Sequence, residues 1–179
     1  GKYFETGDFV LSDAYISVIE ALKFSAYGLH RKPKLTWFSA EEFEKKPAKV
    51  KVLAKYDGVL IPGGFGKRGV EGKIKAIKFA RENKIPYFGL CYGMQLAVIE
   101  YARHKAGIKG ATTREIHPES DECVIDLMDE QKVKMKKEHF GGSMRLGSYE
   151  ARLVRGTIAA GAYGKRSVLE RHRHRFEVN

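Results

Sequence analysis

The segment IPYFGLCYGMQLAVIEYA, residues 85–102, decides the fold. Its opening, 85–90, is a short apolar run of the kind a buried parallel strand uses. Its remainder sets Met94, Ala97, Val98 and Tyr101 at the spacing of one helical face. Between them Gly89-Leu90-Cys91-Tyr92-Gly93 leaves no room for a linker, so strand passes into helix through one sharp turn. The preceding stretch has the same grammar. Gly58-Val59-Leu60-Ile61 is a second apolar run, and Pro62-Gly63-Gly64-Phe65-Gly66 is a glycine-rich loop. Residues 71–83 then show a helical pattern, with Ile74 and Ile77 on one face and Phe79 and Ala80 beside it. Strand, helix, strand, sharp turn, helix is the βαβ pattern. It predicts an α/β fold with an open, mostly parallel sheet flanked by helices.

Toward the N-terminus, Ser12 is the expected N-cap of a helix whose apolar face is Tyr15, Val18, Ile19 and Leu22, with Gly28 as its stop. Leu35-Thr36-Trp37-Phe38 reads as a short strand with Trp37 in the core. Ser39 with Glu42 carries the capping-box signature of the next helix. The C-terminal half is less regular. Residues 123–128 read as a strand, 129–139 as a polar, Lys-rich loop or hairpin, and 141–147 as a glycine-bounded unit. Residues 151–155 and 168–178 read as strands of a small antiparallel extension.

The 179 residues suit one domain, without repeats or a Pro/Gly/Ser-rich linker. The 33 basic against 22 acidic residues, net +11, favour anionic partners without choosing among them. No apolar run reaches the ~18 residues of a membrane helix. The two cysteines, Cys91 and Cys123, form neither a disulfide framework nor a CxxC pair, and the six histidines lack zinc-site spacing. This profile predicts a cytoplasmic protein with no membrane partner and no metal.

The turn at 89–93 has the form of a nucleophile elbow with sulfur in place of oxygen. A cysteine at a helix N-terminus meets the positive end of the dipole and free N–H groups, which predicts a thiol more acidic than the ~8.5 of free cysteine. The 62–66 loop lies at the same carboxyl edge of a parallel sheet, where ligands bind. The Gly64 and Tyr92 N–H groups are the expected pair of donors for an oxyanion. The loop is not a phosphate loop, because the GK[ST] ending is absent. Cys123 reads as a small hydrophobe in a buried strand.

PGGFG at 62–66, RGVEG at 68–72 and GLCYGMQ at 89–95 together resemble the class I, triad-type glutamine amidotransferases, a flavodoxin-like architecture. GKY at 1–3, SDAY at 12–15, SVIEAL at 17–22, GGSMRLG at 141–147 and ERHRHRFEVN at 170–179 narrow the resemblance to the amidotransferase domains of CTP synthases. The resemblance implies that Cys91 attacks the side-chain amide of L-glutamine, forming a glutamyl thioester and releasing ammonia. It implies that Gly64 and the turn Tyr92, Gly93, Met94 and Gln95 hold the substrate and its oxyanion. Glu115 matches the family's glutamine-binding glutamate, and Arg175 its arginine for the α-carboxylate. Those types suit an amino-acid zwitterion, which needs an anion for its ammonium and a guanidinium fork for its carboxylate. No cofactor is implied in this domain. ATP and Mg belong to an amidoligase domain of the same full-length chain, absent from this sequence, where UTP is aminated to CTP. A homo-oligomer is implied at full length.

The family's catalytic His and Glu lie in an HPE motif after an apolar strand, beyond the segment matching 170–179. Its first strand precedes the segment matching 1–3. The expectation is therefore an amidotransferase domain over 1–179, incomplete at both ends and poorly active or inactive alone. His117-Pro118-Glu119 spells the same motif but follows Thr112-Thr113-Arg114-Glu115 rather than an apolar strand, and reads as a surface loop. Two rival readings are a basic nucleic-acid-binding module, for which no recognition motif is present, and a non-catalytic amidotransferase-like scaffold. Alternation along 171–175 would place Arg171, Arg173 and Arg175 on one strand face and His172 and His174 on the other.

Overall fold

The computed structural model describes residues 1–2, 11–128 and 147–179, without the side chains of 11–14. The loop expected at 129–139 and all but the last residue of 141–147 lie outside the described residues. The chain divides into two compact units, 1–125 with 178–179 and 126–177.

The first unit is built as the βαβ pattern requires. Strand β1 (Val59–Ile61) leads through the 62–66 loop to α3 (Val70–Glu82), and β2 (Tyr87–Gly89) feeds α4 (Tyr92–His104). Two helices precede them, α1 (Leu11–Gly28) and α2 (Ala40–Lys45), followed by a 3-10 helix, Pro47–Lys55. β1 and β2 pair in parallel with Ile61 opposite Gly89. The Leu90 N–H donates to the Ile61 carbonyl at 2.9 Å and carries the pairing into the turn. A second parallel pair joins β3 (Thr112–Thr113) to β4 (Cys123–Leu127), with Thr112 opposite Cys123. The parallel strands thus fall into two small open sheets, flanked by helices.

Helices α3 and α4 each bury one stripe. On α3 it runs through Val70, Lys73, Ile74, Ile77 and Ala80, and on α4 through Tyr92, Leu96, Ile99 and Ala102. Each large apolar side chain so buried contributes about 1.5–3 kcal/mol. Glu100, 1% exposed, lies in the same interior. It is held bidentately by Arg81, whose Nε donates to Oε2 at 2.9 Å and whose Nη2 donates to Oε1 at 2.7 Å. That pair fastens the last turn of α3 to α4.

The N-terminal segments depart from expectation in three places. Residues 35–38 form no strand. Among the described residues only Phe38 has a ladder-like bond, its carbonyl accepting from the Gly1 nitrogen at 3.0 Å, while Ala40 N–H donates to Gly1 O at 2.9 Å. Without a partner strand among the described residues, Leu35, Thr36 and Trp37 border a mainly apolar cavity of about 400 Å³ together with Val59, Ile61 and Lys73. Trp37 is half-buried there, stacked on Tyr15 with centroids 5.1 Å apart. Ser39 is the N-cap of α2 but makes no side-chain cap bond: the Glu42 N–H donates instead to the Ser39 carbonyl at 3.2 Å, and the Glu42 carboxylate is engaged by Lys49 at 3.2 Å. Ser12 lies inside α1, whose backbone is already helical at Leu11, so it is not the cap. The helix carries a kink at Tyr15.

The second unit holds the antiparallel extension. β5 (Gly147–Arg152) pairs with β6 (Ser167–His172), Tyr149 opposite Glu170, with α5 (Ile158–Tyr163) between them in sequence. The long strand expected over 168–178 is broken. β6 ends at His172, and β7 (Phe176–Val178) resumes after a bend at Arg175. His172 and His174 still share a side, their rings joined by a 3.0 Å N···N hydrogen bond, and Arg171 and Arg173 are exposed. Arg175 falls out of the alternation and is half-buried.

Candidate active site

Cys91 is the N-cap of α4, at φ 51° and ψ −107°. A positive φ is sterically costly for a residue with a Cβ and persists only where its surroundings over-determine it. Three bonds do so here. Leu90 N–H donates to Ile61 O at 2.9 Å, Gly93 N–H to Leu90 O at 2.9 Å, and Gln95 N–H to Cys91 O at 3.1 Å. The flanking glycines are required by contact. A Cβ on Gly93 would lie 2.1 Å from Ile61 O, and one on Gly89 would lie 2.6 Å from Met94 N. The Tyr87 hydroxyl braces the turn by donating to Gly93 O at 2.7 Å.

The 62–66 loop lies directly against the elbow: a Cβ built on Gly63 would sit 3.5 Å from the Cys91 Cβ. The loop is fixed through one peptide unit. Gly66, at φ 70°, donates its N–H to Glu115 Oε1 at 2.6 Å. Its carbonyl accepts from the Tyr92 hydroxyl at 3.0 Å and from Lys2 Nζ at 3.1 Å. Lys2 Nζ also donates to Phe65 O. Carboxylate, phenol and ammonium, drawn from three distant parts of the chain, therefore converge on the loop beside the sulfur.

The thiol corrects the sequence expectation. Burial pushes the Cys91 thiol up rather than down, although one side of the residue faces solvent. The Tyr92 N–H hydrogen bond draws it down, as the helix N-terminus argument requires, but is outweighed. The Glu115 carboxylate adds to the rise, and the Lys73 ammonium opposes it. None of these groups is an imidazole.

The structure brings Cys91, the Tyr92 N–H, the 62–66 loop and Glu115 together. Met94 is exposed in the first turn of α4, whereas Gln95 is buried and faces the interior. The Tyr92 ring is buried as well, so of that residue only the backbone N–H faces the sulfur. Arg175 belongs to the second unit, where its carbonyl accepts from Met128 N–H at 3.0 Å. His117 is exposed and lines a hollow with Arg103, Gly110 and Glu119. Arg103 belongs to the last turn of α4, the end opposite Cys91.

Sequence reasoning passed over Lys2 and Lys73. Lys73 was visible in one respect: it stands four before Ile77 and seven before Ala80, on the stripe that α3 buries. Among the described residues no group of three or more His, Cys, Asp or Glu could hold a metal ion, and no helix is long and apolar enough to cross a membrane.

The family model described as glutamine amidotransferase class-I matches residues 10–179. The CTP synthase of Carboxydothermus hydrogenoformans is 52% identical over 179 residues, which is 100% of this chain and 32% of that protein. That of Methanococcoides burtonii is 52% identical over 169 residues, 94% of this chain and 31% of that protein. The chain therefore spans about a third of the length of these curated relatives. Among solved structures, the glutaminase domain of Trypanosoma brucei CTPS with bound acivicin superposes with a TM-score of 0.86 at 38% identity, covering 100% of this chain and 66% of that one.

Proposed function

The chain belongs to the class-I glutamine amidotransferases, and on that premise we propose that it is the glutamine-hydrolysing part of an enzyme that aminates UTP to CTP. The Cys91 sulfur, as thiolate, attacks the side-chain amide carbon of L-glutamine. The carbonyl oxygen becomes an oxyanion that accepts from the Tyr92 and Gly64 N–H groups. The C–N bond then breaks, the nitrogen takes up a proton and leaves as ammonia, and a glutamyl thioester remains on Cys91. Water attacks the thioester carbon, releasing glutamate and restoring the thiol. Glu115 receives the substrate ammonium and Arg175 the α-carboxylate. Met94 and Gly93 contribute the floor of the site, and Gln95 supports it from the interior.

The observation that carries this reading is the strained Cys91 elbow set directly against the 62–66 loop. The lengths of the relatives support an amidoligase domain on the same polypeptide as the recipient of the ammonia. ATP and Mg act in that domain, and the assembled protein is a cytoplasmic homo-oligomer.

Intact-mass spectrometry of the full-length polypeptide that carries this domain, after exposure to the glutamine analogue 6-diazo-5-oxo-norleucine, tests the reading. One adduct is expected, absent in Cys91→Ala. No adduct, or one that survives the substitution, overturns it.

A further inference from the structure

Lys73 is buried on the inner stripe of α3, 2% exposed, where lysines are rare unless paired. Its Nζ has no hydrogen-bond partner among the described residues. What it does have is an aromatic face. The ammonium lies 5.5 Å from the centroid of the Tyr92 ring, and Lys2 Nζ lies 5.6 Å from the same centroid. Tyr92 is the first residue of α4 and follows Cys91 directly. Its hydroxyl reaches Gly66 O in the loop that faces the sulfur. The Tyr92 side chain therefore joins the elbow to the loop, and two cations share its ring.

Burying an ammonium without hydrogen bonds is unfavourable, and the ring only partly compensates. A methionine would fill the same space without that cost. A residue that destabilises the fold where it stands calls for a role in the site it adjoins. We propose that Lys73 is a positioning residue for the Cys91 nucleophile, its buried ammonium holding the Tyr92 ring in place and biasing the neighbouring sulfur toward its thiolate. The inference rests on Cys91 being the nucleophile, and it names the cation that opposes the two influences working against the thiolate, burial and Glu115.

The charges around it fit this role. The groups acting on Lys73 are burial and Lys2, which press its proton off, and the Cys91 sulfur, which retains it. They bring the amine down to about 8, so at neutral pH it is still mostly charged. The sulfur itself is faced by the Tyr92 N–H, Glu115 and Lys73.

The test is the pH profile of Cys91 alkylation by iodoacetamide, read by peptide mass spectrometry, which needs no glutamine and so stands apart from the substrate assignment. Buried Cys123 serves as the internal control for unfolding. Lys73→Met and Lys73→Gln remove the charge at similar reach, and Lys73→Arg keeps it. The neutral forms are expected to show an alkylation midpoint at higher pH and a rate at pH 7 roughly three- to tenfold lower, with Tm unchanged or raised in Lys73→Met. Lys73→Arg is expected to restore the profile. A folded neutral variant with the original midpoint overturns the proposal. So does a set in which only Lys73→Arg folds, because Lys73 would then be needed for folding alone. An adduct failure with 6-diazo-5-oxo-norleucine alongside the expected alkylation shift would instead sink the glutamine reading and leave Lys73 acting on the thiol.

Discussion

Gly93→Ala tests the elbow most directly, because helix propensity and steric contact give it opposite signs. Gly93 lies in the first turn of α4, and alanine in a helix interior is normally favoured over glycine by about 1 kcal/mol. Here the new methyl would lie 2.1 Å from Ile61 O and 2.9 Å from Ile61 C. To reach ordinary contact, strand and helix must part by about 1 Å in an interior packed too tightly to absorb it. Overpacking of that kind costs about 1–3 kcal/mol. The Ile61 carbonyl that must move also accepts the 2.9 Å bond from Leu90 N–H, worth about another 1 kcal/mol. The sum less the propensity gain is a loss of about 1–3 kcal/mol. At roughly 2–4 °C per kcal/mol for a chain of this size, Tm falls by about 2–12 °C. Gly161→Ala is the matched control. It lies inside α5 where, among the described residues, nothing beyond its chain neighbours and its own helix backbone comes within 4 Å of the new methyl, so propensity acts and stability rises. Differential scanning calorimetry of both variants, with Cys91 alkylation rates, decides the matter. If Gly93→Ala melts as high as Gly161→Ala, the close passage of α4 over β1 is not what fixes the elbow, and the steric argument fails.

The other expectations concern charge. Glu100→Gln removes one half of a pair whose acid is buried and whose Arg81 partner is partly open to solvent, so the loss should be about 2–3 kcal/mol, below that of a fully buried pair. Urea denaturation showing a change under about 0.5 kcal/mol would mean that α3 and α4 do not depend on it. Glu115→Gln keeps an acceptor for the Gly66 N–H but removes the anion that pushes the Cys91 thiol up. The thiol should then titrate at lower pH, and alkylation at pH 7 should quicken even as glutamine binding weakens. A profile superposing on the wild type would remove Glu115 from the electrostatics of the sulfur.

The elbow and its βαβ frame were legible because their determinants are local. An apolar run too short for a helix, a helical stripe, and glycines where a Cβ cannot fit are all written within 58–102. Residues 35–38 show the limit of that reading. Their composition suits a strand, but a strand exists only with a partner, and sequence pattern does not supply one. The capping box failed for a related reason: the Glu42 N–H that the Ser39 hydroxyl would cap goes to the Ser39 carbonyl, and the Glu42 carboxylate has a competing cation in Lys49, seven residues on. The break at 173–175 leaves no mark in the Arg/His alternation, because a regular strand would also set His172 and His174 on one side.

The thiol was misjudged for the most instructive reason. The rule that a helix N-terminus acidifies cysteine is sound, and the Tyr92 N–H does act in that direction. What outweighs it, burial and Glu115, arrives through the fold, and the opposing cation comes from a helix that reads as an ordinary charged surface. The sulfur is thus poised between one anion and one cation, and only the anion is reachable by substrate. Glu115, half-buried beside the loop, is the group assigned to a glutamine ammonium, while Lys73 is sealed beneath the Tyr92 ring. A substrate ammonium that pairs with Glu115 cancels the charge that raises the thiol and leaves Lys73 acting alone. Under the proposed function, then, the nucleophile is held back in the empty site and becomes more acidic as glutamine seats, so an unprimed thiol in the free protein is consistent with catalysis.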